Sequence, residues 1–226
     1  MIDLVVPVLD EEESIGDVVH GFAGPLVRRI VVVDNGSSDH SAARAREAGA
    51  VVVAEPDRGY GAACLRGLSA LRDDPPDVVV FADGDGSDEP LDLPALVAPI
   101  VAGRADFVVG SRVAGAGEGG AVGRHAVLGN RFACAAMRAR FGVRYTDLGP
   151  YRAIRWTSLE RLGMTDRGYG WTVEMQIRAA RAGLRIAEVP VRARRRRAGH
   201  SKISGTLRGT VRASGRILWT LARHAF

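Results

Sequence analysis

One stretch of the sequence decides the fold: Val78-Val79-Val80-Phe81-Ala82-Asp83-Gly84-Asp85-Gly86-Ser87-Asp88. Its four consecutive large apolar residues predict a strand buried on both faces, which is typical of a parallel sheet covered by helices. The acidic residues follow directly, so we expect their carboxylates at the carboxyl end of that strand. Ligands of open α/β sheets bind beyond this edge, and the stretch therefore also predicts where the chemistry lies.

The same pattern recurs along the chain, where short β-branched apolar runs alternate with stretches of helical spacing. We predict strands at 2–8, 29–33, 50–54, 77–82, 105–110 and 186–191. Helical spacing covers 12–22, 39–48, 60–72, 92–103, 125–141, 156–163 and 172–183. This alternation predicts an α/β fold with a mostly parallel central sheet flanked by helices.

Charge is distributed unevenly along the 226 residues. The net charge of +5 combines −5 over residues 1–189 with +10 over residues 190–226, which contain no Asp or Glu. Such a segregated basic end indicates an anionic partner such as phosphate, lipid head groups or nucleic acid. We expect one domain at 1–203 and a basic amphipathic C-terminal helix at 204–226, packed on that domain or on a membrane surface.

Composition excludes several protein classes. Hydrophobic residues make up 46% and charged residues 25% of the chain, a balance that excludes disordered and collagenous proteins. Two cysteines, Cys64 and Cys134, are too few for a disulfide scaffold, so a cytoplasmic setting is the simplest expectation. An acidic first segment differs from a signal peptide, and we expect no membrane-spanning helix.

The acidic loop favours a divalent cation. Asp83 and Asp85 form a D-x-D pair, which suits Mg²⁺ or Mn²⁺ because these ions use one or two protein carboxylates and complete their shell with phosphates. A calcium loop would end in a Glu, and this chain has none at that position. The alternative interpretation is an Asp-Gly turn that caps a helix.

Two further polar clusters follow strands. Asp34-Asn35-Gly36-Ser37-Ser38-Asp39 follows the second strand. Asp34 is placed to accept hydrogen bonds from a base or ribose, while Ser38 or Asp39 is a candidate cap for a helix that starts near His40. The first strand ends in Asp10-Glu11-Glu12, whose charges exclude a dinucleotide-binding turn there. Gly115 to Gly120 matches G-x-G-x-x-G, but it comes too late in the sheet for a cofactor loop.

Taken in order, these motifs and Gly110-Ser111-Arg112 resemble family 2 glycosyltransferases of the GT-A fold. The later Arg196-x-x-Gly199-x-Ser201-Lys202 is similar to the branch of dolichyl- and polyprenyl-phosphate mannosyl- and glucosyltransferases. The resemblance covers essentially the whole chain. Leu9 and Asp10 depart from the usual pattern after Pro7, which leaves the base, uracil or guanine, open.

The resemblance implies an inverting transfer of a hexose from a donor of the UDP-glucose or GDP-mannose type. It implies a nucleotide-sugar site comprising Pro7, Asp10, Glu12, Asp34, Asp39, Gly61, Asp83, Gly84, Asp85, Arg196, Ser201 and Lys202. The metal, Mg²⁺ or Mn²⁺, would be held by Asp83, Asp85 and Ser87. Arg196 and Lys202 would neutralise the departing diphosphate together with the metal, which makes them catalytic candidates beside Asp85.

The resemblance also implies that Ser111, Arg112 and Arg124 bind an acceptor phosphate, which needs no general base. A hydroxyl acceptor would need a carboxylate, for which Asp147 and Glu174 are the candidates. The first hypothesis is therefore a polyprenyl-phosphate acceptor at the inner face of the plasma membrane, reached by peripheral attachment. The alternative is a soluble enzyme acting on a hydroxyl of a small metabolite or glycan.

Other functions agree less well with the sequence. A nucleic-acid-binding domain would leave the acidic clusters without a purpose, and the chain has no RNA-binding aromatic motif. A nucleotidyltransferase needs a Gly-rich basic loop after its first strand, and this chain has acidic residues there. A homodimer formed through the terminal helix stays open.

Overall fold

The computed structural model describes residues 1–115 and 124–196. In these residues seven strands form one sheet: β1 (Ile2–Val8), β2 (Val27–Asp34), β3 (Val51–Ala54), β4 (Val78–Phe81), β5 (Phe107–Ser111), β6 (Arg152–Arg155) and β7 (Ile186–Pro190). Their order across the sheet is β3-β2-β1-β4-β6-β5-β7. β6 runs antiparallel to both of its neighbours, β4 and β5, whereas the other pairs are parallel.

Helices cover both faces of the sheet, so its central strands are buried on both sides. They are α1 (Ile15–Phe22), α2 (Ser41–Glu47), α3 (Tyr60–Leu71), α4 (Leu93–Val101), α5 (Arg124–Phe141), α6 (Trp156–Leu162) and α7 (Trp171–Arg181). One core packs α1, α2 and α4 against the sheet, and the other packs α3, α5, α6 and α7. This two-sided burial explains why the strands contain few polar residues.

The predicted α/β fold is confirmed, and each of the six predicted strands is present with its ends within two residues. The seventh strand, β6, was not predicted because its four residues begin and end with arginine. Arg152 is nevertheless fully buried, and its guanidinium donates to backbone carbonyls, among them Thr172 at 2.9 Å and Leu148 at 3.2 Å. These hydrogen bonds allow a charged residue to occupy a central strand.

Several predicted features lie outside the described residues: Ser201, Lys202, the terminal helix 204–226, the Gly-rich segment 116–123 and the side chain of Arg124. The proposed division at residue 203 stays a prediction for the same reason. None of the helices in the described part of the chain has the length and apolar character that a membrane span requires.

Candidate active site

The acidic loop after β4 is held together by its own carboxylates. Asp88 accepts a hydrogen bond from the backbone N–H of Asp83 at 2.9 Å, and Asp85 accepts one from the N–H of Ser87 at 2.9 Å. Gly86 has φ +75°, a left-handed conformation that favours glycine. The turn therefore gathers Asp83, Asp85 and Asp88 at the carboxyl edge of the sheet.

This gathering is electrostatically costly. Burial raises the pKa of Asp83 well above its usual range, and the charges of Asp85 and Asp88 raise it further, against the opposing effect of Arg112 and Arg196. Burial also raises the pKa of Asp88 to about 7, while the hydrogen bond from the Asp83 amide acts in the opposite direction. Two carboxyls with raised pKa values beside a third indicate a place that favours added positive charge.

The chain supplies part of that charge from the segment after β7. Arg196 reaches two strand ends, because its Nη1 lies 2.7 Å from Glu11 Oε1 and its Nη2 lies 3.1 Å from Asp85 Oδ2. The segment is tied down by the Arg194 N–H, which donates to the Ser87 carbonyl at 3.0 Å, and by an ion pair between Arg194 and Glu89. Arg196, which is predicted to neutralise a departing diphosphate, is therefore ion-paired with Asp85 in this structure.

The donor set fits a hard divalent cation that a ligand helps to hold. Asp85 and Asp83 supply carboxylate oxygens within a buried negative cluster, and Ser87 stands in the same turn. In the described residues, no three His, Cys, Asp or Glu side chains form a ready-made metal site. The pair of carboxylates agrees with Mg²⁺ or Mn²⁺ chemistry, in which one or two protein carboxylates are used and phosphate oxygens complete the shell.

Asp10, at the end of β1, has a strained backbone. Its φ is +51°, which is uncommon for a residue with a side chain, although Asp tolerates it better than most. The conformation is fixed from both sides, because its N–H donates to Ser37 Oγ at 3.0 Å and its Oδ1 accepts from the Ser38 N–H at 2.7 Å. Such strain is concentrated at functional positions, in agreement with the predicted role of Asp10.

Glu12 and Asp39 join the first strand end to the start of α2. Asp39 accepts from the Ser41 N–H at 2.9 Å and from the Glu12 N–H at 3.2 Å, although the residue at the N-cap position of α2 is His40 and not the predicted Asp39. These hydrogen bonds outweigh burial and lower the pKa of Asp39. Glu12 in turn accepts from the His40 N–H at 2.9 Å.

The remaining predicted donor residues lie along the same edge. Asp34 accepts from the Ser37 N–H at 3.0 Å within its own turn. Gly84 packs on β1, since a Cβ there would come within 2.8 Å of Val8 and 3.3 Å of the Pro7 carbonyl oxygen. At Gly61 the segment around Asp166 packs directly against the backbone, since a Cβ at residue 61 would lie 2.0 Å from the Asp166 carbonyl oxygen. A glycine at 61 is therefore required by packing, whatever it does toward a ligand.

On the other side of the acidic loop, Arg112 is paired with Asp147. Arg112 Nε donates to Asp147 Oδ2 at 2.8 Å and its Nη2 donates to Oδ1 at 2.9 Å, a bidentate geometry. Asp147 also accepts from Asn130 Nδ2 and from the backbone amides of Arg112 and Leu148, and it is 1% exposed. These contacts outweigh burial and lower the pKa of Asp147, while Asp147 raises the pKa of Arg112.

Ser111 and Glu174 have their partners inside the protein. The Ser111 hydroxyl lies 2.6 Å from Thr146 Oγ1 and accepts from the Ala114 N–H at 3.1 Å. Glu174 accepts from the amides of Thr165 and Asp166 and pairs with Arg178 at 2.9 Å. These hydrogen bonds outweigh burial and lower the pKa of Glu174, so its carboxylate stabilises the turn before α7.

Sequence reasoning overlooked three residues of this edge. Glu11 pairs with Arg196, but its place inside an acidic run gave no signal that separated it from its neighbours. Asp88 anchors the loop through the Asp83 amide. Asn35 donates to the carbonyls of Glu55 and Asp57 and accepts from the Gly59 N–H, which joins β2 to the start of α3. Its position directly after the apolar run of β2 was the available signal.

Comparisons with known proteins agree with this geometry. The model of the family described as glycosyl transferase family 2 matches residues 3–163. An uncharacterized glycosyltransferase of Mycobacterium tuberculosis is 39% identical over 214 residues, which cover 93% of each chain. The polyprenol monophosphomannose synthase of Mycolicibacterium smegmatis is 34% identical over 225 residues, covering 90% of this chain and 81% of that protein.

Among solved structures, glucosyl-3-phosphoglycerate synthase from Mycobacterium tuberculosis, in complex with Mn²⁺, UDP-glucose and phosphoglyceric acid, has a TM-score of 0.80. It is 29% identical, and the match covers 100% of this chain and 79% of that one. The family match covers more than half of the chain and includes the acidic loop, Arg112 and Asp147. The chain belongs to glycosyl transferase family 2 and is a glycosyltransferase.

Proposed function

We propose that the protein transfers a hexose, with inversion, from a nucleoside diphosphate sugar of the UDP-glucose or GDP-mannose type to a polyprenyl or dolichyl phosphate at a membrane surface. The similarity to a polyprenol monophosphomannose synthase over 90% of the chain supports the acceptor class. The similarity to a structure that holds UDP-glucose and Mn²⁺ supports the donor and the metal.

On the donor side, Pro7, Asp10, Glu12, Asp34 and Asp39 would line the nucleoside pocket. Gly61, Asp83 and Gly84 would lie against the ribose and the sugar, and Asp83, Asp85 and Ser87 would hold Mg²⁺ or Mn²⁺. The bound metal supplies charge neutralisation for the departing nucleoside diphosphate. Arg196, already within reach of Asp85, would add the protein's own positive charge, and Ser201 and Lys202 remain predicted members of the same group.

On the acceptor side, the observation that carries the proposal is the saturated Arg112–Asp147 pair. Every oxygen of Asp147 accepts hydrogen bonds and its pKa is lowered, so it is a poor proton acceptor. The pair instead holds a guanidinium rigidly beside the acidic loop, and Arg112 Nη1 is not used by Asp147. An acceptor that is already anionic needs a positioned cation and no base, which is the role we assign to Arg112, with Ser111 and Arg124 as predicted neighbours.

The second candidate function is transfer to a small phosphorylated metabolite. The related structure with bound phosphoglyceric acid favours it, because its fold matches the whole of this chain. A hydroxyl of such an acceptor would need a base, and the bases predicted for this alternative, Asp147 and Glu174, both have lowered pKa values and internal partners, which counts against it. Both candidates share a phosphate on the acceptor, so Arg112 alone does not distinguish them.

A transfer assay separates these functions. Purified full-length protein would be given UDP-glucose or GDP-mannose with Mn²⁺ and one of three acceptors: a short polyprenyl phosphate, the matching polyprenol, or 3-phosphoglycerate. We expect turnover with the polyprenyl phosphate and with neither of the other two acceptors. This turnover should be lost in Asp85→Asn. Turnover with 3-phosphoglycerate alone would replace the first proposal with the second, and turnover with neither donor would contradict both.

A further inference from the structure

The outward side of α5 presents an apolar stripe flanked by arginines. Phe132, Ala135 and Ala139 recur at helical spacing and are exposed, with Phe132 62% exposed. Arg131 and Arg138, seven residues apart, are exposed along one side of the stripe. These five residues are called the α5 face. The opposite side of the helix is buried in the core through Ala133, Cys134 and Met137.

The surroundings of the α5 face are basic. Residues 124–144 contain five arginines and no Asp or Glu, and Arg140 and Arg144 are exposed as well. The carboxylates that approach α5 from the core side are already used: Asp147 binds Arg112 and Asn130, and Glu188 accepts from the Thr146 N–H at 2.8 Å. The face therefore combines positive charge with apolar area, and none of its residues is acidic.

We propose that the α5 face binds the surface of an anionic lipid membrane. An exposed aromatic residue inserts among lipid tails while flanking arginines pair with anionic head groups, which is the chemistry of interfacial helices. Charge favours a membrane over the alternatives within the protein, because residues 197–226 are basic and without Asp or Glu, and a second copy would bring the same positive face. Nucleic acid would match the charge but would leave Phe132 and its alanine stripe unused.

The position of α5 gives this binding a purpose, which rests on the proposed lipid-phosphate acceptor. Asn130, one residue before the α5 face begins, donates to Asp147 at 3.0 Å, and Asp147 holds Arg112. Asn130 belongs to the core side of α5, so a membrane docked on the outward α5 face would lie about one helix diameter, ~10 Å, from the residue proposed to bind the acceptor phosphate. The phosphate of a membrane-anchored acceptor would have to span only that distance to reach Arg112.

Vesicle binding tests the inference without donor or acceptor. Full-length protein would be sedimented with vesicles of phosphatidylcholine, with or without phosphatidylglycerol. We expect Arg131→Glu/Arg138→Glu to reduce binding to the anionic vesicles about 10-fold. The matched control, Arg46→Glu/Arg72→Glu, makes the same change of charge at exposed positions away from α5 and should bind as the unaltered protein does.

A second measurement locates the contact. An environment-sensitive fluorophore on Phe132→Cys should shift to the blue with anionic vesicles, and one on Ala43→Cys, on the exposed side of α2, should not shift. Equal losses in both charge-reversed variants, or no shift at residue 132, would overturn the inference. Binding of the same proteins to an oligonucleotide would be measured in parallel. If Arg131→Glu/Arg138→Glu loses oligonucleotide binding while its vesicle binding is intact, the inference is overturned in favour of nucleic acid.

These outcomes are separate from those of the transfer assay. If no polyprenyl phosphate is used but vesicles bind through the α5 face, the proposed function fails and this inference stands. If the charge-reversed variant binds vesicles normally while a short polyprenyl phosphate is a substrate, the inference fails and the proposed function stands.

Discussion

The two ends of the sheet treat buried carboxylates in opposite ways. At the amino end, Asp3 is 0% exposed, and it accepts from Arg28 at 2.7 Å and from Arg29 at 2.8 Å. Both arginines also contact Asp74, so each charge has partners of opposite sign. At the carboxyl end, Asp83, Asp85 and Asp88 lie together, and the pKa values of Asp83 and Asp88 are raised.

The difference teaches how to recognise the functional end without a bound ligand. A groove of about 420 Å³ lies at the amino end and is lined by Arg28, Arg29 and Asp74, but these charges pair with one another or with Asp3. The carboxyl end keeps more carboxylates than its arginines balance, since Arg196 pairs with Glu11 and Asp85 while the pKa values of Asp83 and Asp88 stay raised. An excess of unbalanced charge, more than cavity volume, marks a site.

The largest expected effect is on catalysis at the carboxyl end. Asp85→Asn removes a carboxylate that we propose binds the metal, so we expect transfer to fall about 100- to 1,000-fold, as for the loss of a group that stabilises developing charge. The free energy of unfolding should stay within about 1 kcal/mol of the unaltered value, since a surrounding repulsion is relieved. Steady-state turnover and urea unfolding would be measured on the same preparations.

Asp92→Asn is the matched control for this prediction, because Asp92 pairs with Arg192 in the same part of the chain but outside the acidic loop. Its turnover should be unchanged. Equal loss in the two variants would mean that the acidic loop has no special role.

The next effect concerns stability at the amino end. Asp3→Asn leaves Arg28 and Arg29 without their buried counter-charge, so the free energy of unfolding should fall by about 3 kcal/mol. Turnover of the folded variant should not change, because the site lies at the other end of the strands. Asp74→Asn, which alters the exposed partner of the same arginines, should lose no more than about 1 kcal/mol. A large loss of turnover in Asp3→Asn with unchanged stability would reverse the comparison.

A smaller effect probes Arg196, the cation already present at the carboxyl end. Arg196 competes for Asp85 Oδ2, so Arg196→Gln should bind Mn²⁺ about 5-fold more tightly in the absence of nucleotide, equivalent to an ion pair of about 1 kcal/mol. Turnover should nevertheless fall about 10-fold, since a charge proposed to neutralise the departing diphosphate is lost. Electron paramagnetic resonance of free Mn²⁺ measures the first quantity directly.

Arg192→Gln removes an arginine from the same segment without touching the acidic loop, and should alter neither quantity. Weaker Mn²⁺ binding by Arg196→Gln would show that Arg196 supports the cation site and does not compete for it.

Sequence alone predicted the fold well because its signal is local. Runs such as Val78–Phe81 are apolar on both faces, and the carboxylates that follow them fall at one edge whatever the details of packing. The strand β6 was missed because its stability comes from long-range contacts, namely pairing with β4 and β5 and the carbonyls that surround Arg152. No local pattern encodes such contacts.

The same contrast between local signals and long-range contacts applies to the site residues. The candidates Asp83 and Asp85 were found from their position after a strand. The partnership of Glu11 with Arg196 joins residues 185 positions apart, and the saturation of Asp147 depends on Arg112, Asn130 and Leu148 from separate segments. The sequence named Asp147 as a candidate, but only its hydrogen bonds indicate that it positions Arg112.

The smallest expected effect tests whether the charge of Asp88 destabilises or stabilises the folded protein. The pKa of Asp88 is raised to about 7 in the folded protein, above the ordinary value of 3.8, so the folded state binds the proton more tightly than the unfolded state. Stability conferred by the protonated form is therefore present at low pH and is lost as the pH rises through about 7. Asp88→Asn keeps an acceptor for the Asp83 amide and removes the charge.

We therefore expect Asp88→Asn to be more stable than the unaltered protein by about 1 kcal/mol at pH 8, and the difference to shrink as the pH falls below 7 and to vanish only below the unfolded value of 3.8. Urea unfolding at several pH values measures it, and Asp92→Asn, whose carboxylate is paired with Arg192, should show no such gain. A loss of stability in Asp88→Asn at pH 8 would mean that this carboxylate is supported by its neighbours, as Asp3 is, and that the contrast between the two ends of the sheet does not extend to Asp88.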